Sequence, residues 1–177
     1  VGPLGPDRPD RFAVSTRASR VAAIYRGRTL PWSVGSGGNA AVKREWLERV
    51  GAFDERLGAG SAGQSAEDID LFYRLLREGA TVRYDPRAVI YHERKSAEGR
   101  LASRPAYGFG MGAFCALAVR RADPFAVCIL TRWCYDRARA LAGACIKRRW
   151  RKAHEEYLML RGAVAGVGRG MSRTVGG

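Results

Sequence analysis

The stretch GQSAEDIDLFYRLLREGA, residues 63–80, places three carboxylates, Glu67, Asp68 and Asp70, at the start of an otherwise apolar helical pattern. Side chains three and four residues apart share a helix face. Asp70 has Arg74 at i+4 and Arg77 at i+7, which reads as a solvated stripe with a surface ion pair. Glu67 shares that side. Asp68 has Leu71, Phe72 and Leu75 at i+3, i+4 and i+7, so it sits at the top of the buried face. A buried charge needs a partner, and two readings supply a reason for this one. In the first, Ser65-x-x-Asp68 is a capping pattern, and the helix N-terminus favours the negative charge. In the second, Asp68 is a general base on the floor of a cleft. Spacing leaves both open. Asp68-Ile69-Asp70 also spells a D-x-D, but residues two apart on a helix point about 200° apart and cannot clamp one ion.

The elements that must position these acids are legible from punctuation and period. Residues 12–27 have helical spacing, with Val21, Ile24 and Tyr25 on one face and Gly27 as a stop. A glycine-rich loop covers 30–42. A short helix, 43–51, is closed by Gly51, and a flexible connection covers 52–64. The acid-bearing helix spans 66–78 and ends at Gly79. Two short strands flank a turn at Asp85-Pro86 within 81–92. From Pro105 to about Leu160 the pattern is helical, and the final segment reads as disordered. Alternating helices and strands in the first hundred residues favour an α/β layer.

Composition narrows the classes further. The 177 residues suffice for one domain with a real core. The first residues do not read as a signal peptide, and no apolar run reaches the length of a spanning helix. Cys115, Cys128, Cys134 and Cys145 form no C-x-x-C pair and read as buried free thiols in a reducing compartment. With only His92 and His154 present, a zinc site is not expected. The net charge of +14 is uneven: residues 36–91 hold 8 Lys/Arg against 9 Asp/Glu, whereas residues 132–177 hold 11 against 3. A near-neutral module is thus followed by a basic one, which points to an anionic partner for the latter.

Several stretches in sequence order resemble the second half of the catalytic domain of family 2 glycosyltransferases: GSGGNAAVKREWLERVGAFDERLGAG, then AEDIDLFYRLLREG, then TVRYDPRAVIYHERK. The resemblance covers about residues 30–95. It implies an α/β fold class, a partial GT-A (nucleotide-diphospho-sugar transferase) layer, here followed by a helical C-terminal extension. The domains expected are 1–104 for the partial transferase layer, 105–165 for the basic helical extension and 166–177 for a disordered tail. The function implied is inverting transfer of a sugar from a nucleotide-sugar donor to a glycan or lipid-linked acceptor hydroxyl. Residue by residue, Asp68 resembles the catalytic base and Glu67 its paired acid. Gly37, Gly38 and Asn39 resemble the loop lining the sugar and acceptor cleft. His92 resembles a metal-ligand histidine for Mg²⁺ or Mn²⁺; taken alone, it reads as a structural histidine. Asp54 and Glu55 match a G-x-F-D-E step for which packing is as good an account. The family's first half, with its nucleotide-binding strands and loop D-x-D, has no match, so a partial chain with weak donor binding of its own is expected.

In KRRWRKAHEEYLML, residues 147–160, Trp150, Ala153, Tyr157 and Leu160 trace one helical face beside a crowd of cations. Two readings stand: a helix lying on an anionic membrane surface, with 132–165 as the contact, and a solvated basic helix packed on its own domain. The first places the protein in the cytoplasm, peripheral to the inner face of the cell membrane. The alternatives to an enzyme are a non-catalytic membrane-surface protein and a nucleic-acid-binding protein. The latter is suggested by the pI of about 10.5 but lacks a recognised motif. Gly108, Gly110 and Gly112 read as small residues allowing close helix packing rather than a phosphate loop.

Overall fold

A computed structural model describes residues 2–3, 11–12 and 19–172. The chain divides into two compact units, Val1–Asp54 with Asp68–Arg100, and Glu55–Glu67 with Leu101–Gly177. The boundary expected after residue 104 therefore lies after Arg100, inside a helix, and the segment 55–67 belongs with the helical unit.

The first unit contains β1 (Gly2–Pro3), β2 (Arg11–Phe12), β3 (Ala23–Tyr25), α1 (Arg44–Val50), most of α2 (Glu67–Arg77), β4 (Val82–Tyr84), β5 (Tyr91–His92) and β6 (Lys95–Ser96). The strands form three two-stranded ladders: β1 parallel to β5, β2 antiparallel to β6, and β3 antiparallel to β4. The helix expected over 12–27 is corrected for residues 23–25, which are extended and pair with 82–84; residues 13–18 lie outside the described residues. Isoleucine and tyrosine favour a pleated surface, and period-two alternation turns Tyr25 toward the core while Ile24 faces out. That core joins Val34, Leu71, Phe72, Leu75, Leu76 and Ala80, with Trp46, Leu47 and Val82 packed around it. The stop after α2 follows the Schellman pattern: Ala80 N–H bonds to Leu75 O at 2.9 Å and Gly79 N–H to Leu76 O at 3.2 Å, with Gly79 at φ +88°.

The second unit contains α3 (Ala97–Arg120, from Leu101 on), α4 (Phe125–Ile146) and α5 (Trp150–Met171). Residues 55–67 are not a flexible connection. Leu57 is buried, Gly63 N–H bonds to Arg56 O at 2.8 Å, and the Ser61 hydroxyl reaches Arg56 O and Gly58 O. The tail reading of 166–177 is corrected as well: α5 continues to Met171, and residues 173–177 lie outside the described residues. The reason is packing that composition hides. A Cβ added at Gly108 or Gly112 of α3 would run into the carbonyls of Met159 or Ala163 on α5. One added at Gly162 or Gly166 of α5 would run into those of Pro105 or Phe109 on α3. The two backbones meet through small residues at four-residue spacing. Two acids of α5 are buried beside them. Glu155 takes Arg104 at 3.0 Å, and Glu156, 1% exposed, takes Arg137 at 3.1 Å and Lys152 at 2.6 Å.

Thiol burial also departs from expectation: Cys115 is buried and Cys134 half-buried, but Cys128 and Cys145 are exposed. Burial pushes the Cys115 thiol up to about 12, with the neighbouring Cys134 adding to the shift. At pH 8 its thiolate fraction is then about 10³-fold below that of an ordinary thiol, because reactivity follows the thiolate. Alkylation followed by mass spectrometry is expected to label Cys128 and Cys145 first. Cys115 should label at least about 10³-fold more slowly until the protein is unfolded.

Two glycines only two residues apart in α5, about 200° around the helix, give a sharper test of the packing. Helix propensity alone favours Ala over Gly by about 1 kcal/mol. At Gly168 nothing lies within 4 Å of an added Cβ, so Gly168→Ala is expected to raise stability by up to that amount. At Gly166 the added Cβ meets Phe109 backbone, so Gly166→Ala is expected to cost about 1–3 kcal/mol despite the propensity gain. Thermal unfolding of the two variants should move in opposite directions; equal shifts would contradict the α3–α5 contact.

Candidate active site

The site is built on the N-terminal turn of α2 and the loop that precedes α1. Residues Gly37–Asn39 form a single 3₁₀ turn after an extended Ser36. Gly37 N–H donates to Asp68 Oδ2 at 3.0 Å, and Ile69 N–H donates to Asp68 Oδ1 at 2.8 Å. One carboxylate thus joins the loop to the helix, and both its oxygens are oriented by backbone donors. A Cβ on Gly37 would lie 2.7 Å from Asp68 Cβ, so the approach requires glycine. Gly38 has no such constraint; its nearest neighbour would be Ser36 Oγ at 3.9 Å. Of the two sequence readings of Asp68, the capping box is not formed: Ser65 Oγ donates to Ala106 O at 2.9 Å instead. What the carboxylate satisfies is one first-turn N–H and one loop N–H, and it remains half-buried.

Asn39 extends the loop's reach. Its Nδ2 donates to Ala88 O at 2.9 Å, the last residue of a turn starting at Asp85. Pro86 sits at the second position of that turn, where its fixed φ is suited. Asp85 accepts Arg87 N–H at 3.0 Å and the Arg87 guanidinium at 2.8 Å, and that guanidinium holds its carboxyl well below the usual range. Beyond the turn, β5 carries His92, which is exposed, with Nδ1 2.9 Å from Glu93 O. Ser36 and Asn39 also line an open groove of about 790 Å³ within this unit, floored by Trp46, Phe72 and Leu75. Asp68 does not line it.

In the unit that holds residues 55–67, the carboxyl carbon of Glu67 would lie 3.4 Å from a Cβ on Gly58, a residue at φ +104°. Among the described residues no three His, Cys, Asp or Glu side chains converge to hold an ion.

Asp70 is the residue that sequence reasoning misplaced. It is 3% exposed, not solvated. Its Oδ2 accepts Arg74 Nε at 2.7 Å, while Arg74 Nη1 donates to Val50 O and Gly51 O and Nη2 to Ala52 O at 2.8 Å. The available signal was Gly51, which ends α1 and leaves carbonyls in need of donors.

Comparison with known proteins supports a relationship over part of the chain. It is 36% identical over 85 residues to a pre-mycofactocin glycosyltransferase of Mycobacterium tuberculosis (strain H37Rv), a match covering 48% of this chain and 16% of that protein. It is 40% identical over 63 residues to a chondroitin synthase of Escherichia coli, covering 36% of this chain and 9% of that protein. The chain therefore spans less than a fifth of the length of the curated relatives it matches. No family model and no solved structure matches. These partial matches support a relationship to glycosyltransferases over the matched residues.

The Asp70–Arg74 pair gives a stability prediction. Removing one partner of a buried pair costs about 3–5 kcal/mol, whereas a surface pair contributes at most about 1 kcal/mol. Arg74→Ala is expected to show the larger loss in urea unfolding of the full chain. A loss below about 1 kcal/mol would mean that the Arg74 bridge contributes no more than a surface pair.

Proposed function

We propose that the chain carries the acceptor-activating part of an inverting glycosyltransferase resembling family 2, with a GT-A-type layer, acting on a nucleotide-sugar donor. The observation that carries the reading is Asp68, a carboxylate fixed by Gly37 N–H and Ile69 N–H at a helix start, within a chain partly similar to glycosyltransferases. A carboxylate oxygen has two acceptor sites, so each Asp68 oxygen keeps one for a substrate hydroxyl.

In the proposed step, Asp68 takes the proton of the acceptor hydroxyl as that oxygen attacks the anomeric carbon. The new C–O bond forms as the bond to the donor's diphosphate breaks, and the electron pair leaves with the diphosphate. A single in-line displacement inverts the anomeric centre. The backbone donors hold the base before substrate arrives, so little reorganisation accompanies proton transfer. Gly37, Gly38 and Asn39 border the acceptor in this reading; the groove beside Ser36 and Asn39 is not lined by Asp68 and is given no part in the step. No proton-transfer step is assigned to Glu67, and none of the chemistry is routed through a metal. His92 could contribute one ligand to such an ion only alongside groups outside the described residues. The donor, a glycan or lipid-linked acceptor, and the whole protein's activity belong to the same proposal.

The test is Asp68→Asn in the native full-length protein, with a panel of nucleotide sugars and release of nucleoside diphosphate as the signal. Turnover is expected to fall at least about 10²-fold, with donor affinity and circular dichroism retained. Turnover like the parent's would sink the role and leave Asp68 as a structural link between loop and helix.

A further inference from the structure

The face expected to lie on a membrane does not exist as drawn from the sequence. Ala153 is buried and Leu160 half-buried, while Trp150 and Tyr157 are exposed. What the structure exposes is the tip between α4 and α5. Three residues, 147–149, join the helices, with Arg148 in the left-handed region at φ +52°. On either side of them Ile146 is 82% exposed and Trp150 66% exposed. The segment IKRRWRK, residues 146–152, carries five cations and no acid.

We propose that this α4–α5 tip docks on an anionic lipid surface, with Ile146 and Trp150 entering the headgroup region and the cations meeting lipid phosphates. Three observations carry it. First, an aliphatic and an indole side chain share one exposed tip, an arrangement suited to the boundary between headgroups and acyl chains. Second, the charge is complementary and unspent: Lys147, Arg148 and Arg149 have no ion-pair partner among the described residues. The nearby acids Glu155 and Glu156 are buried and engaged with Arg104, Arg137 and Lys152. Third, α5 starts without a side-chain cap and without an acid in its first turn, so its N-terminal end adds to the positive field. No helix is long and apolar enough to cross a membrane among the described residues; a surface contact needs none. A nucleic acid would answer the cations but leaves Ile146 without a role, since bases stack on aromatic and guanidinium planes.

The experiment uses the full chain, no sugar donor, and two vesicle preparations: phosphatidylcholine alone, and phosphatidylcholine with phosphatidylglycerol. Since no transfer is measured, failure of the glycosyl-transfer reading leaves the result interpretable. Co-sedimentation with the anionic vesicles is expected at low salt, at least about tenfold stronger than with neutral ones, and falling as salt rises. Ile146→Ser/Trp150→Ser keeps every charge and is expected to lose about tenfold or more. Lys147→Glu/Arg149→Glu is expected to lose at least as much and to flatten the salt dependence. All four positions are exposed, and circular dichroism checks that the helices persist. Equal binding to both vesicles, binding to neither, or parent-like binding by the Ser/Ser variant would overturn the proposal. So would a single-stranded oligonucleotide that binds parent and Ser/Ser variant alike and more tightly than the anionic vesicles.

Discussion

The guanidinium of Arg74 is where the two helices of the first unit are locked together. Its Nε is bound to a carboxylate that has almost no access to water, and its two terminal nitrogens reach the carbonyls of three consecutive residues, Val50, Gly51 and Ala52. The two halves support each other. Asp70 without Arg74 loses a close charge partner in a buried position; the end of α1 without Arg74 loses its donors. The lock also fixes the rotation of α2 about its axis. Asp68 lies two residues before Asp70, about 200° around the helix. When Asp70 is turned toward α1, Asp68 is turned away from it and onto Gly37. The geometry of the candidate base is therefore inherited from an ion pair that takes no part in the chemistry.

In the second unit the same logic runs through volume rather than charge. α3 and α5 approach until the Cα hydrogens of Gly108, Gly112, Gly162 and Gly166 are set against backbone carbonyls. Glycine is a poor helix former in isolation, at about 1 kcal/mol per residue relative to alanine. The close contact of two backbones over several turns offsets that cost with dispersion between well-packed atoms. This is why a segment of glycine, alanine and valine, which reads as disordered by composition, is helical to Met171.

How much of this was legible beforehand divides along the range of the interaction. Local punctuation carried well: Gly51 and Gly79 close α1 and α2, and the turn at Asp85-Pro86 separates β4 from β5. What failed depended on partners distant in sequence. Residues 23–25 have helical spacing but are extended because 82–84 supply a hydrogen-bonding edge. Asp70 had an i+4 arginine, the mark of a surface pair, and only the carbonyls of residues 50–52 make that arginine a buried bridge. Asp68 was expected to be the inward acid, but Asp70 is the buried one and Asp68 is half-buried; the contact of Asp68 with Gly37, thirty-one residues away, could not be read from either stretch alone.

The charge of the molecule is better understood by position than by sum. A net +14 would favour any polyanion, but many of its cations are engaged internally. Arg74 serves Asp70, Arg104 serves Glu155, and Arg137 and Lys152 serve Glu156. Removing these from the account leaves a smaller set, of which Lys147, Arg148 and Arg149 are consecutive and lie at a tight helix connection. Screening confines the reach of exposed charge to about 8–10 Å at physiological salt, so cations scattered over a surface act singly while a consecutive cluster acts as one patch. Burying Glu155 and Glu156 inside the helical unit has a second consequence: the acids closest in sequence to that patch are engaged by Arg104, Arg137, Arg151 and Lys152, and Lys147, Arg148 and Arg149 are left to the tip. The ion pairs that hold the helices together are thus also what leaves their connecting turn positive.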